Sequence, residues 1–455
     1  MGRASSRDGA RPPVTTAADC LARTSLLIRH DIFRAAADDA IVAGLQATRV
    51  RVVADAANVS SRNAQTLITT LVGQIAMMGI QVDLAFPDVG LIGPQAPLRG
   101  THLRQALADY LSDLIPTSPS ATVTTSAPDL TILVGSTPSP RDLGLRLTGD
   151  SWRCRIDRSD REAVEPWAGD LPFGALAGGA AGAAEAFRAA LPRISINVGL
   201  PIPPAPTWHL SLDRPGEIDL SVDARTGLKP PTLGLIDLIS GGAITTAAIY
   251  CLLRVPAISG DLRIFEPQRL DATNLNRYPL ARRSDIGTAK GAICARCATR
   301  DLQIGFEPER FDGALASLRP TADVVVGVDE IPARWSAQRA TRTWLTVGAT
   351  SHFFAMVSTH EAGQPCAGCA HPRDDNAPGE IPTISFVSFF AGLLQARALV
   401  LHKMGVSLPR QATYCYPLGL YGRSILPVGV APSVDCPVGC SASRLVAKGR
   451  SWRWA

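Results

Sequence analysis

One βαβ stretch narrows the fold more than any other part of the chain. Residues 233–239 form an apolar run of strand length, Ser240-Gly241-Gly242 breaks it, and residues 243–254 carry apolar side chains at helical spacing. A second short strand over 261–265 then ends at Glu266. Strand, glycine turn, helix and strand in that order belong to an α/β layered fold. A further apolar strand is expected over 324–328. The first half shows the same alternation, with strands over 49–54, 82–86 and 130–134 and helices over 64–78 and 173–191. Gly182-Ala-Ala-Glu-Ala-Phe-Arg and Gly392-Leu-Leu-Gln-Ala-Arg-Ala fall on similarly late helices in the two halves, a weak sign of internal repetition.

The 455 residues exceed the usual size of one core, so two α/β domains are expected. A Pro-rich connector or edge hairpin over 200–231, with a short alternating stretch at 208–212, would separate a first domain over 26–199 from a second over 232–455. Residues 1–25 read as a loose tail. Their Met-Gly-Arg-Ala-Ser-Ser start fits the short myristoylation pattern, which occurs often by chance. Hydrophobic residues at 46% and charged residues at 19% are a globular balance. The net charge of +5 is spread along the chain, which removes the main support for nucleic-acid or membrane-surface binding. No uninterrupted apolar run reaches the roughly 18 residues of a membrane span, and a cytoplasmic location is expected.

Phosphate chemistry is the first functional reading. The Ser240-Gly241-Gly242 turn opens a helix, where backbone amides receive phosphate, and Glu266 closes the next strand, where an acid can take ribose hydroxyls. Two glycines and one acid also describe an ordinary turn with a solvated carboxylate. After Glu266 come Asp271-Ala-Thr-Asn274-Leu-Asn-Arg277-Tyr and Asp285-Ile-Gly-Thr-Ala-Lys290, with Arg277 and Lys290 thirteen positions apart. Arginine forks onto phosphate oxygens and lysine acts as a point charge, so this pair suits a triphosphate. Asp329 ends the strand at 324–328, in place to hold Mg2+ or to cap a helix expected over 331–340.

These motifs together, over about 233–440, resemble the fingerprint of the ThiF/MoeB superfamily of ubiquitin-activating-enzyme-like adenylyltransferases. The resemblance implies two Rossmann-like adenylation domains, the first a degenerate copy. It implies ATP and Mg2+ as cofactors, with Gly241, Gly242, Glu266, Asn274, Arg277, Lys290 and Asp329 around the nucleotide. The substrate it implies is a ubiquitin-like protein ending in glycine, whose carboxylate is adenylated, with a conjugating enzyme downstream in bacterial antiviral-defence systems. An arginine from the N-terminal helix of one half reaches the other half's ATP in that family, whether between homodimer subunits or within one chain. Arg29 and Arg34 are the candidates here, against the plainer reading of solvated helix residues. Thr245 stands at a family glycine position, Gln268 at a second acid and Glu330 at an asparagine.

Ten cysteines in a chain without a signal sequence favour thiols over disulfides. Cys366-Ala-Gly-Cys369 and Cys436-Pro-Val-Gly-Cys440 supply four sulfurs for a closed, structural Zn2+ site. No cysteine falls in the loop 371–383, where an activating enzyme would carry its thioester, and Cys294, Cys297 and Cys415 read as buried thiols. Two other functions fit parts of the pattern: a zinc-containing scaffold that presents a peptide without catalysis, and an NAD-dependent oxidoreductase, which leaves Lys290 and the cysteines unexplained.

Overall fold

The computed structural model describes residues 15–116, 127–138, 144–161, 167, 169–202, 216–222, 231–374, 380–418, 425–442 and 444. The alternating stretch at 208–212 lies outside them.

Chain order in the first half is α1 (Ala17–Asp31), α2 (Asp38–Ala47), β1 (Arg49–Val53), α3 (Ala56–Val59), α4 (Arg62–Met77), β2 (Gln81–Ala85), α5 (Leu103–Ser112), β3 (Leu130–Val134), β4 (Leu145–Gly149), β5 (Arg153–Arg158), α6 (Phe173–Val198) and β6 (Gly216–Asp219). The second half follows as β7 (Thr232–Ile239), α7 (Ala243–Leu252), β8 (Ser259–Phe265), α8 (Lys290–Ala295), β9 (Leu302–Glu307), β10 (Asp323–Val326), α9 (Ile331–Ala340), β11 (Leu345–Ser351), β12 (Phe354–His360), α10 (Ala367–Ala370), α11 (Ser385–Lys403), β13 (Ala412–Cys415) and β14 (Ile425–Val428).

The two halves share a layout. The first sheet has the order β2-β1-β3-β4-β5-β6 and the second β14-β13-β12-β11-β10-β7-β8-β9. In each, the first strand of the half pairs in parallel with strands on both sides, and antiparallel strands extend one edge. Each sheet is therefore a parallel α/β core with a meander at one edge. All five residues of β3 and all four of β10 are buried, as expected for strands covered on both faces.

Small residues let the helices close onto one another. A Cβ built on Gly179 would stand 2.7 Å from Cβ of Thr70 on α4, and one built on Gly392 would stand 2.5 Å from Cβ of Ala247 on α7. The late helices α6 and α11 thus pack on α4 and α7, the helices between the first two strands of their respective sheets, and the weak likeness between the Gly182 and Gly392 segments falls on equivalent helices. Further, α6 and α11 meet each other through Phe187 and Phe386, whose ring centroids are 6.0 Å apart. One continuous core runs through both halves.

Three sequence expectations change. Residues 17–25 are helix, not tail: Thr16 and Asp19 form a reciprocal capping box that starts α1, and Cys20 and Leu21 are fully buried. The connector contributes β6, which pairs antiparallel with β5 and so belongs to the first sheet. Lastly, Ser385–Lys403 is long and apolar enough to span a membrane by composition, but it is buried as the core helix α11.

Because Gly392 already touches its neighbours, Gly392→Ala should overpack the α7–α11 contact and cost about 1–3 kcal/mol. Urea unfolding should show a lower midpoint with an unchanged slope.

Candidate functional site

The strand order of the second sheet reverses between β7 and β10, leaving a crevice at their C-terminal ends, the position where open α/β sheets bind ligands. A cavity of about 1090 Å³ opens there. Its floor is the turn after β7. Ser240 adopts φ 84°, in the left-handed region, and swings the chain so that Gly242, Ala243 and Ile244 line the cavity at the start of α7. The first amides of a helix lack intrahelical acceptors, so this end of α7 favours an anion.

Glu266 supports that turn. Its Oε2 accepts from the Gly241 amide at 2.7 Å, and its Oε1 accepts from the Gln268 amide at 2.8 Å. A Cβ at position 241 would approach the Glu266 Cγ to 3.0 Å, which explains the small residue. Glu266 is therefore a turn support as well as a cavity wall. A carboxylate has about four acceptor positions; the two amides and the Ser240 hydroxyl, 3.4 Å from Oε2, occupy three, and the long serine contact is the one a stronger hydroxyl donor would displace.

Arg277 and Lys290 both line the cavity. The Arg277 Nη1 donates to the Thr273 carbonyl at 2.5 Å and to the Asn276 Oδ1 at 2.6 Å, and its backbone amide donates to the Asn274 carbonyl at 3.1 Å. Burial holds its pKa below the ordinary arginine value. The Lys290 Nζ donates to the Gln268 Oε1 at 2.6 Å. Burial also lowers the Lys290 pKa, while Glu266 opposes the shift. The neutral Gln268 leaves this lysine's charge unpaired by its hydrogen-bond partner. Asn274 lines the cavity too, and its Oδ1 caps the Asp271 amide at 3.1 Å in a short 3₁₀ turn.

Asp329 lines the same cavity from the segment after β10. The alternative of a helix N-cap falls away for it, because Glu330 holds that position and makes no side-chain cap. Arg334 reaches back from α9 to donate to the Val328 carbonyl at 3.1 Å and to the Asp329 carbonyl at 3.4 Å. Arg334, pulled down to about 10 by burial, lines the cavity beside His371, pulled down to about 3 by burial and by Arg334.

The arginine expectation needs correcting. Arg29 pairs with Asp38 at 3.4 Å and, with Arg34, borders a separate surface pocket. Arg23 enters the main cavity instead, 3.5 Å from Glu380. The reason is local: Thr24, next to it, accepts from the Asn276 Nδ2 at 2.9 Å, and the Arg23 carbonyl accepts from the Thr383 amide at 3.3 Å. These bonds turn that face of α1 toward the second half. The missed signal was Thr16-x-x-Asp19, a helix start that makes residue 23 the middle of a helix.

The matching crevice of the first sheet is filled by protein. After β1 the chain enters α3 rather than a glycine turn, and Asn58 occupies the space. Its Nδ2 donates to Asp55, Ser136 and Thr137, and its Oδ1 accepts from the Ser136 amide at 3.2 Å. A Cβ on Gly135 would fall 1.8 Å from that Oδ1.

The cysteine pairs converge. The Sγ atoms of Cys366 and Cys436 are 3.4 Å apart and those of Cys369 and Cys440 are 3.5 Å apart, with all four within 4.8 Å of one another. Four thiolates around a Zn2+ ion at about 2.3 Å would stand roughly 3.7 Å apart, so the donor set and its spacing fit that metal. The extra residue in the second pair does not displace Cys440. Cys294 and Cys415 are fully buried, and burial raises the pKa of both, that of Cys294 to about 12. Of the loop 371–383, residues 375–379 lie outside the described set.

Residues 49–197 match the family model of the BilD N-terminal domain. The uncharacterized protein y4jF of Sinorhizobium fredii is 29% identical over 256 residues, which cover 53% of this chain and 46% of that protein. The chain thus spans about half the length of the curated relative it matches. Among solved structures, Escherichia coli MccB with ATP aligns at 16% identity and a TM-score of 0.38, covering 48% of this chain and 68% of that one. MccB with MccA-N7isoAsn aligns at 15% and 0.38, covering 46% and 66%, and PaaA at 11% and 0.35, covering 43% and 64%. At this level the structural likeness assigns neither fold nor chemistry.

Cys436→Ser should remove the chelator-resistant zinc and lower the thermal unfolding midpoint, read by metal analysis and calorimetry on the same preparation.

Proposed function

We propose that the chain is an adenylyltransferase of the ThiF/MoeB type, which uses ATP to activate the C-terminal carboxylate of a ubiquitin-like protein. The observation that carries this reading is the convergence of Arg23, Arg277, Lys290, Glu266 and Asp329 on one cavity at the sheet's switch point. The match of residues 49–197 to the BilD N-terminal domain supports it from the other half of the chain.

In this reading the first amides of α7, Arg277 and Lys290 hold the triphosphate, and Glu266 takes the ribose hydroxyls. The substrate carboxylate attacks the α-phosphorus, the bond to the bridging oxygen breaks, and pyrophosphate leaves with the electron pair. Charge moves onto the pyrophosphate, where fixed cations stabilise it without reorganising. Arg23 adds a guanidinium from α1. Mg2+ at Asp329 would supply further neutralisation of the phosphate oxygens. The zinc tetrad is structural, because four sulfurs leave no open position.

A protein substrate fits better than a free small acid. Phe354, Tyr414 and Leu426 are exposed on neighbouring antiparallel strands, and Phe354 and Tyr414 also line the cavity. Phe354 stacks on Tyr416 with ring centroids 4.6 Å apart. This apolar shelf leads into the nucleotide crevice, so a folded partner could rest on it while its tail enters.

Pyrophosphate exchange into ATP by the zinc-loaded protein, dependent on the free C-terminus of a ubiquitin-like candidate, tests the proposal. Lys290→Ala and Asp329→Ala should each lower exchange by about 10²–10³-fold. Exchange that persists in both variants would overturn the assignment, as would no exchange and no calorimetric ATP binding beside confirmed candidate binding. Leu426→Asp should raise the KM for the protein substrate and leave ATP binding unchanged.

A pH prediction follows from Lys290. A bound triphosphate requires the ammonium, and burial lowers this group's pKa. ATP affinity should fall as pH rises through that lowered value, below the ordinary lysine range near 10.4. In Lys290→Arg the alkaline loss should move to higher pH.

A further inference from the structure

A second group of metal-binding side chains lies apart from the cysteine tetrad. His30, Asp31 and His352 bring three ligand atoms within 4.8 Å of one another. The Nδ1 of His30 is 2.7 Å from the Asp31 Oδ1, and the Nδ1 of His352 is 2.8 Å from the same oxygen. The two rings face each other with centroids 4.9 Å apart at 47°. Two of these residues end α1 and the third lies 321 positions later, in the turn between β11 and β12.

From this geometry we infer a two-histidine, one-carboxylate site for a borderline divalent transition ion such as Zn2+, Ni2+ or Co2+, clipping the end of α1 to the β11–β12 turn. Four features carry it. Imidazole with one carboxylate is a donor set these ions accept, and it leaves positions for water. Asp31 is the last residue of α1, where the helix dipole places partial negative charge that favours a cation. His352 is the first of the two residues in the tight β11–β12 hairpin turn, whose geometry sets its φ of 53° and places its Nδ1 2.8 Å from the Asp31 carboxylate on α1. The nearby Arg29 is met by Asp38, which offsets its repulsion of an ion.

Binding needs no net ionisation of the imidazoles. Each neutral ring moves its proton to Nε2 and presents the Nδ1 lone pair. At metal–ligand distances of about 2.0–2.2 Å each Nδ1 would move a few tenths of an ångström from its present hydrogen-bond distance to the Asp31 oxygen. His30 and His352 are 61% and 42% exposed, so an ion reaches them from solvent. His30 also lies seven residues after Arg23, two helical turns along one face, so the clip would hold the face of α1 that enters the cavity.

The test is isothermal titration of Ni2+ into the full-length protein carrying one Zn2+ per chain, as the tetrad alone would hold, with released zinc monitored by a chromogenic chelator. One Ni2+ should bind per chain without zinc release. His30→Ala and His352→Ala should abolish that binding, and Asp31→Asn should weaken it about tenfold or more. Hydrogen exchange in α1 should slow on adding Ni2+ to the wild type but not to His352→Ala. No binding to the wild type, binding undiminished in both histidine variants, or uptake matched by zinc release would each overturn the inference. His30 is exposed, so His30→Ala reports on the site in a folded protein.

Discussion

The contact between α6 and α11 governs the rest of the molecule. Each helix covers its own sheet, and Phe187 and Phe386 join them across the middle. Tyr250 on α7 extends the junction, since its hydroxyl lies 3.1 Å from that of Thr70 on α4. The first half therefore cannot be withdrawn without exposing the covering helices of the second. Arg254 shows how far the merging goes: fully buried at the end of α7, it donates to the Ala96 carbonyl of the first half at 2.7 Å and lies over the Tyr250 ring.

Within this shared frame, two sheets of like topology reach different chemical ends because their first turns differ. After β7, Ser240 in the left-handed region and two glycines keep the backbone low and leave space above the strand ends. After β1 a short helix brings Asn58 into the same relative place, and its amide saturates the polar groups around it. A filled polar network of this kind is costly to open for a ligand, because each freed donor or acceptor must find a new partner.

Strand and helix positions were legible because buried parallel strands are apolar runs and the helices carry apolar periodicity, as at 130–134 and 64–78. Glu266, Arg277 and Lys290 were expected together because they follow one another along a short stretch of chain, and Asp329 because it ends an apolar strand; all four line the cavity. Arg23 was not legible. Its arrival depends on Asn276 and Thr383 bonding to α1, contacts between residues more than 250 positions apart that leave no local pattern. The hold of the Glu266 carboxylate on the Gly241 amide was hidden for another reason, since it joins the ends of two adjacent strands whose pairing no local pattern shows. The triad of His30, Asp31 and His352 likewise exists only after the two halves have docked.

The route by which Arg23 reaches the cavity has a kinetic consequence. In an assembly of separate subunits, a side chain lent by one to another arrives by a bimolecular encounter and leaves on dilution. Here the lender and the borrower are segments of one polypeptide, so the effective concentration of α1 at the crevice is set by chain connectivity and docking strength. Completion of this wall is a first-order event, as fast and as persistent in a nanomolar solution as in a concentrated one.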